Sequence, residues 1–252
     1  MLKPIRRLGQ NFLVDPNIVR KIVDAVDAPA DSCVVEIGSG TGALTGSLSE
    51  LYPNFVAVEI DERAVEILRQ TFPGVDVRQM DILDADWAQL AGAKELHIVG
   101  NLPYYISSPI LFKLLDSTFP IKRATIMLQL EVARRLVAVP RTKDYGILSV
   151  ATQLAADVEI LFKVSRNVFR PVPEVESAVV QLNFKEVRLD SDRFVREIIR
   201  TAFNQRRKTL RNSLRSIVNR TGRELDAAMS SRRPEELLPE EFAALSDFFK
   251  AR

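Results

Sequence analysis

Residues 33–42 read CVVEIGSGTG, and how this stretch folds decides the architecture. CVVEI (33–37) is a short, β-branched apolar run that ends abruptly at Gly38, the pattern of a strand buried on both faces. Gly40 and Gly42 follow at two-residue spacing, so the backbone there is free to turn sharply and to approach a ligand closely. Residues 43–52 then support a helix. The same alternation repeats outward. FVAVEI (55–60) predicts a second strand, and Asp61 caps a helix carrying Ala64, Val65, Ile67 and Leu68. VDVRQ (75–79), LHIV (96–99) and ATIMLQ (124–129) predict three more strands with helical stretches between them, and VEILFKV (158–164) and SAVVQLNF (177–184) two late ones. Upstream, Asp15-Pro16 reads as a helix cap and first turn before Ile18, Val19, Ile22, Val23 and Val26. Strands alternating with helices predict an α/β fold with a mainly parallel sheet covered on both faces.

The pattern changes near 185–190. Phe194, Val195, Ile198, Ile199, Ala202 and Phe203 recur at helical spacing, Leu210, Leu214 and Ile217 continue it, and Leu237–Phe249 predicts another helix. Two domains are expected, 1–186 and a small all-helical one over 187–252. Between Arg193 and Arg220 stand nine basic residues against one acid, Glu197, a polyanion-binding pattern within a chain whose net charge is only +2. One cysteine and one histidine exclude an intrachain disulfide and a Cys/His zinc cluster. Cys33 reads as core, and no metal is expected. No apolar run approaches the ~18–20 residues that span a bilayer, and MLKPIRRLGQ lacks the apolar stretch of a secretory signal, so a cytoplasmic protein is expected.

Three strand ends carry chemistry. The glycine loop comes first; Glu59 ends the next strand 21 residues after Gly38, where an acid suits the hydroxyls of a ribose. NAD and S-adenosylmethionine both carry such a ribose, and these two features do not separate them. Asp81-Ile82 follows the third strand, with an acid to accept from an adenine amine and an apolar neighbour to pack on its ring. The alternative for Asp81 is a plain cap of the following helix. Gly100-Asn101-Leu102-Pro103-Tyr104 follows the fourth. An Asn side-chain oxygen and a nearby carbonyl accept the two hydrogens of adenine's exocyclic amine, which favours a pyramidal nitrogen. Tyr104 offers a ring for the base to stack on. Alignment is then the main catalytic effect, and the loop disfavours an NAD enzyme.

Together these segments resemble the bacterial small-subunit (16S) ribosomal RNA adenine N6,N6-dimethyltransferases. The resemblance runs through LGQNFLVD (8–15), VVEIGSGTGALT (34–45), VEID (58–61), MDIL (80–83), GNLPYYISSPIL (100–111), MLQLEVARRLVA (127–138), YGILSV (145–150), FRPVPEVESAVVQL (169–182) and FNQRRKTLRNSL (203–214). It implies a Rossmann-like class I methyltransferase domain. It also implies S-adenosylmethionine held by Asn11, Leu13, Gly38, Glu59, Asp81 and Asn101, and a target adenine met by Asn101 and Tyr104 with Phe169, which without the resemblance reads as core, covering its other face. Arg206, Arg207, Lys208 and Arg211 are then expected on RNA phosphates. The implied substrate is two adjacent adenosines near the 3′ end of small-subunit RNA in an assembling 30S particle, modified by a monomer. Tyr105 and Leu130 depart from the family's usual Asn and Lys. Two other functions share some of these features. A large-subunit adenine methyltransferase shares the Asn-Leu-Pro-Tyr loop but lacks a segment like 203–214. An assembly or RNA-binding factor with dispensable catalysis would not need the intact Gly38, Glu59, Asp81, Asn101 and Tyr104.

Overall fold

The computed structural model describes residues 2–5, 8–186 and 193–251. Its strands are β1 (Phe12–Leu13), β2 (Cys33–Ile37), β3 (Asn54–Glu59), β4 (Asp76–Gln79), β5 (Leu96–Asn101), β6 (Ile121–Gln129), β7 (Ala156–Val164), β8 (Phe169–Arg170) and β9 (Ser177–Phe184). Seven of them form one sheet in the order β4-β3-β2-β5-β6-β9-β7, and β1 pairs with β8 in a separate two-stranded sheet. From β4 to β6 every pairing is parallel, and β9 runs antiparallel to β6. All five β2 residues are buried, as an apolar run between two neighbouring strands requires.

The expected class I methyltransferase fold is the one observed, and each main-sheet strand read from the sequence is present. The two-residue strands β1 and β8 were not expected. Helix Pro16–Asp24 starts where predicted, with Asp15 accepting from the amides of Asn17 and Ile18. Two glycines are required by space or conformation. At Gly40 φ is +55°, and a Cβ would lie 3.3 Å from the Phe12 ring; at Gly100 a Cβ would lie 2.5 Å from the Ile37 carbonyl oxygen, where β5 presses on β2.

The chain divides into two compact units, residues 1–133 with 159–184, and residues 134–158 with 185–252. The second unit therefore takes in a stretch that the expected boundary at 186/187 assigned to the first domain. Burial explains the difference. Tyr145, Val150 and Leu154 share one apolar core with Ile198, Ile199, Leu214, Leu237 and Phe242, and the Tyr145 hydroxyl donates to the Leu237 carbonyl at 2.8 Å. The exact 186/187 boundary falls beside residues 187–192, outside the described residues. Among the described residues no helix is long and apolar enough to cross a membrane.

Candidate active site

In an open parallel sheet, ligands bind beyond the carboxyl ends of the strands where the strand order reverses. Here the reversal lies between β2 and β5. A cavity opens at that point, lined by segments 8–13, 36–41, 58–60, 80–82 and 101–106. The fold thus gathers Asn11, Leu13, Gly38, Glu59, Asp81, Asn101 and Tyr104 around one space.

Glu59 closes β3 and is 6% exposed. One carboxylate oxygen accepts from the amides of Ile60 at 2.8 Å and Asp61 at 2.9 Å, and the other from Gly40 at 2.8 Å. The last bond ties the glycine loop to β3. A carboxylate offers about four lone-pair sites, so one remains on the oxygen facing Gly40. Asp81 combines its two alternative readings. One oxygen caps the turn Ile82–Asp84 by accepting from the Leu83 amide at 2.9 Å, while the residue also lines the cavity. Behind the glycine loop, Glu36 accepts from the Thr45 hydroxyl at 2.6 Å, and burial pushes its carboxyl up to about 7. The sequence reading passed over Glu36 because its position in β2 looked like any strand residue.

At the acceptor end, the Asn101 side-chain amide donates to the Asn11 carbonyl at 3.1 Å. That bond turns its nitrogen away and leaves its oxygen without a protein partner among the described residues. Pro103's carbonyl accepts from the Ile106 amide, while that of Leu102 accepts from none of the described amides. Tyr104 is half-buried, its hydroxyl 2.6 Å from that of Ser177, and burial holds its phenol above the usual range. Phe169 lies elsewhere. Its side chain is fully buried in the apolar cluster of Leu13, Val164 and Val179 and does not line the cavity. Its strand β8 pairs with β1 and places Phe169 in the core beside Leu13, away from the cavity lining where the resemblance put it. Phe12, which the motif reading did not single out, also lines the cavity.

The basic cluster of the helical unit separates into two kinds of residue. Arg206 donates to Glu235 at 2.7 Å and to the carbonyls of Lys143 and Thr142 at 2.8 and 2.9 Å, so it clamps three segments together. Arg207, Lys208 and Arg211 are exposed. Lys208 lines a polar cleft together with Asn204, Gln205, Asn212, Arg215 and Asn219, among others, with no acid in its wall. Among the described residues, no three His, Cys, Asp or Glu side chains are grouped to hold a metal ion.

The cavity suits S-adenosylmethionine. Glycine at 38 leaves open a point where a Cβ would sit 3.7 Å from the Asn101 carbonyl. Glu59 and Asp81 supply acids where a ribose and an adenine amine need acceptors, and Met80 and Ile82 supply apolar surface for a ring. A dimethyladenosine transferase from Plasmodium falciparum has the same fold, with a TM-score of 0.80 and 25% identity, covering 95% of this chain and 98% of that one. The 23S rRNA methyltransferase ErmE follows at a TM-score of 0.68 and 28% identity, covering 94% of this chain and 100% of that one. Fold and site together define a class I, S-adenosylmethionine-dependent methyltransferase. A family model described as ribosomal RNA adenine dimethylase matches residues 1–241. A protein of Prosthecochloris aestuarii named ribosomal RNA small subunit methyltransferase A is 46% identical over 241 residues, 95% of this chain and 92% of its own length. One of the same name from Chlorobium phaeobacteroides is 51% identical over 211 residues, 83% of this chain and 80% of its own. The chain belongs to the ribosomal RNA adenine dimethylase family, S-adenosylmethionine-dependent adenine N6,N6-dimethyltransferases.

Proposed function

We propose that this enzyme dimethylates two adjacent adenosines near the 3′ end of small-subunit ribosomal RNA, as a cytoplasmic monomer acting on the assembling particle. The observation that carries the target assignment is the 46–51% identity, across most of the chain, to proteins named for the small subunit, against 28% to a 23S enzyme.

In this reading Asn11, Leu13, Gly38, Glu59, Asp81 and Asn101 hold the cofactor, which supplies an electrophilic sulfonium methyl when bound. The Asn101 side-chain oxygen and the Leu102 carbonyl accept the two hydrogens of the adenine amine, directing its lone pair to the face where the methyl arrives. Tyr104 carries the base by stacking, worth about 1–3 kcal/mol. These groups align an unreactive amine and need transfer no proton until the new bond has formed. Phe169 supports the wall from the core. The unit of residues 1–133 with 159–184 is the catalytic part in this assignment and the unit of 134–158 with 185–252 the RNA-binding one, with Arg207, Lys208 and Arg211 on phosphates and Arg206 holding the surface that presents them.

The test is incubation with labelled S-adenosylmethionine and small subunits lacking these methyl groups, followed by mapping of the label. Two labelled adjacent adenosines near the 3′ end are expected. In a parallel incubation with large subunits, label there and none on the small subunit would overturn the target; stable binding to the small subunit without label would favour an assembly factor instead.

A further inference from the structure

Asn101 and Tyr104 stand three residues apart on one loop, and each is held from outside by a different segment. Asn101 donates to the carbonyl of Asn11, which adjoins β1. Leu13 of β1 pairs with Phe169 of β8. Seven residues beyond β8, Ser177 opens β9, and its hydroxyl lies 2.6 Å from that of Tyr104. These contacts close a ring: acceptor loop, N-terminal segment, two-stranded sheet, β9 and back to the acceptor loop. Ser177 is fully buried, and its backbone is fixed by pairing with Gln129 of β6. The tether point is therefore rigid.

We propose that Ser177 is a positioning residue for methyl transfer: it holds the Tyr104 hydroxyl and thereby sets the angle of the ring on which the target adenine stacks. The inference rests on Tyr104 being the base platform. A tyrosine ring swings about one side-chain torsion and twists about a second; the hydroxyl lies on the axis of the twist, so a bond to it fixes the swing directly and the twist only through the preference of a phenol to bond in the plane of its ring, and it leaves the ring's faces open. A hydroxyl partner that served only to satisfy a buried group would affect folding. One that aims the ring affects the geometry of attack, where errors of about 1 Å cost about a hundredfold in rate.

A double-mutant cycle decides between them, using Ser177→Ala, Tyr104→Phe and the double variant, measured on whichever ribosomal RNA the parent methylates. An error in the assigned target therefore does not enter the result. With cofactor and RNA saturating, each single variant is expected to slow single-turnover methylation about tenfold. The double variant should be no slower than either, since both remove the same bond. Cofactor affinity should match the parent. RNA carrying 2-aminopurine at the target position should show at most half the parent's fluorescence change on binding Ser177→Ala. If Ser177→Ala slows the Tyr104→Phe enzyme as much as it slows the parent, or leaves the parent at full rate, the proposal is overturned. Should Ser177→Ala fail to fold, a full parental rate in Tyr104→Phe alone overturns it and a tenfold loss supports it. Parental base capture by Tyr104→Ala would instead remove the platform assignment.

Discussion

Glu59→Gln is the substitution whose effect the structure constrains most closely. The side chain keeps its size but loses its charge and one acceptor. Its remaining oxygen is best placed toward the Ile60 and Asp61 amides, where two bonds converge, which turns the new amide nitrogen toward the Gly40 amide. Donor then faces donor, and the tie between glycine loop and β3 is lost. A hydrogen bond to a charged group contributes about 1.5–3 kcal/mol. For a chain of this size about 2–4 °C of melting temperature accompanies each kcal/mol, so the ligand-free protein should melt about 3–12 °C lower. The lone-pair site left for a ribose hydroxyl weakens at the same time. A second loss of about 1.5–3 kcal/mol raises the dissociation constant for S-adenosylmethionine about 10- to 150-fold. Scanning calorimetry reads the first effect and titration calorimetry on folded protein the second. Glu59→Ala removes both acceptor oxygens and all three bonds, and should exceed Glu59→Gln in both. A lower melting temperature with parental cofactor affinity would show that Glu59 only staples the loop; if neither changes, the reasoning fails altogether.

Asn101→Ala should lose about a hundredfold or more in single-turnover rate with cofactor and RNA saturating, because the amine loses an acceptor and the Asn11 carbonyl its donor; a near-parental rate would refute that role. Arg206→Ala should destabilise the protein by about 1–2 kcal/mol in denaturant unfolding, since a partly buried clamp is lost. Arg207→Ala with Lys208→Ala should instead leave stability within about 0.5 kcal/mol and reduce the salt slope of RNA binding by about two phosphate contacts. Equal effects of the two substitutions on stability would contradict this division. Glu36 titrates at about 7 in the folded chain against an ordinary 4.5, so the folded state holds the extra proton between these values. Its contribution to stability therefore falls as pH rises through that window and levels above about 7. Glu36→Gln should remove this decline, read as the difference in unfolding free energy between variant and parent from about pH 5 to pH 8; a constant difference would exclude it.

The main sheet was legible because its signals are local. A buried parallel strand is a short β-branched run wherever it occurs, and β2 and β9 begin and end where those runs do. That Glu59, Asp81 and Asn101 would line one cavity was legible for a related reason: in a parallel sheet the ends of successive strands share one edge, so order along the chain maps onto position in space. Phe169 reads as core without the resemblance and is buried there, but its strand was not legible: β8 has two residues and is defined only by its partner β1.

The sequence by itself determined the α/β class, the glycine loop with the acids that follow it, the acceptor loop and the basic helical segment, since each depends on residues within a few positions of one another. Tertiary structure alone decided what those groups touch. Whether an arginine faces solvent or clamps the fold depends on carbonyls 63 and 64 residues away, as at Arg206. Which oxygen of Glu59 stays open depends on a loop 19 residues upstream, and the restraint on Tyr104 depends on a serine 73 residues downstream. Residues 134–158 joined the helical unit because the apolar side chains of Tyr145, Val150 and Leu154 are buried against its helices. Hydrogen bonds and burial are satisfied by whichever atoms are near in space, and nearness across such separations is a property of the folded chain.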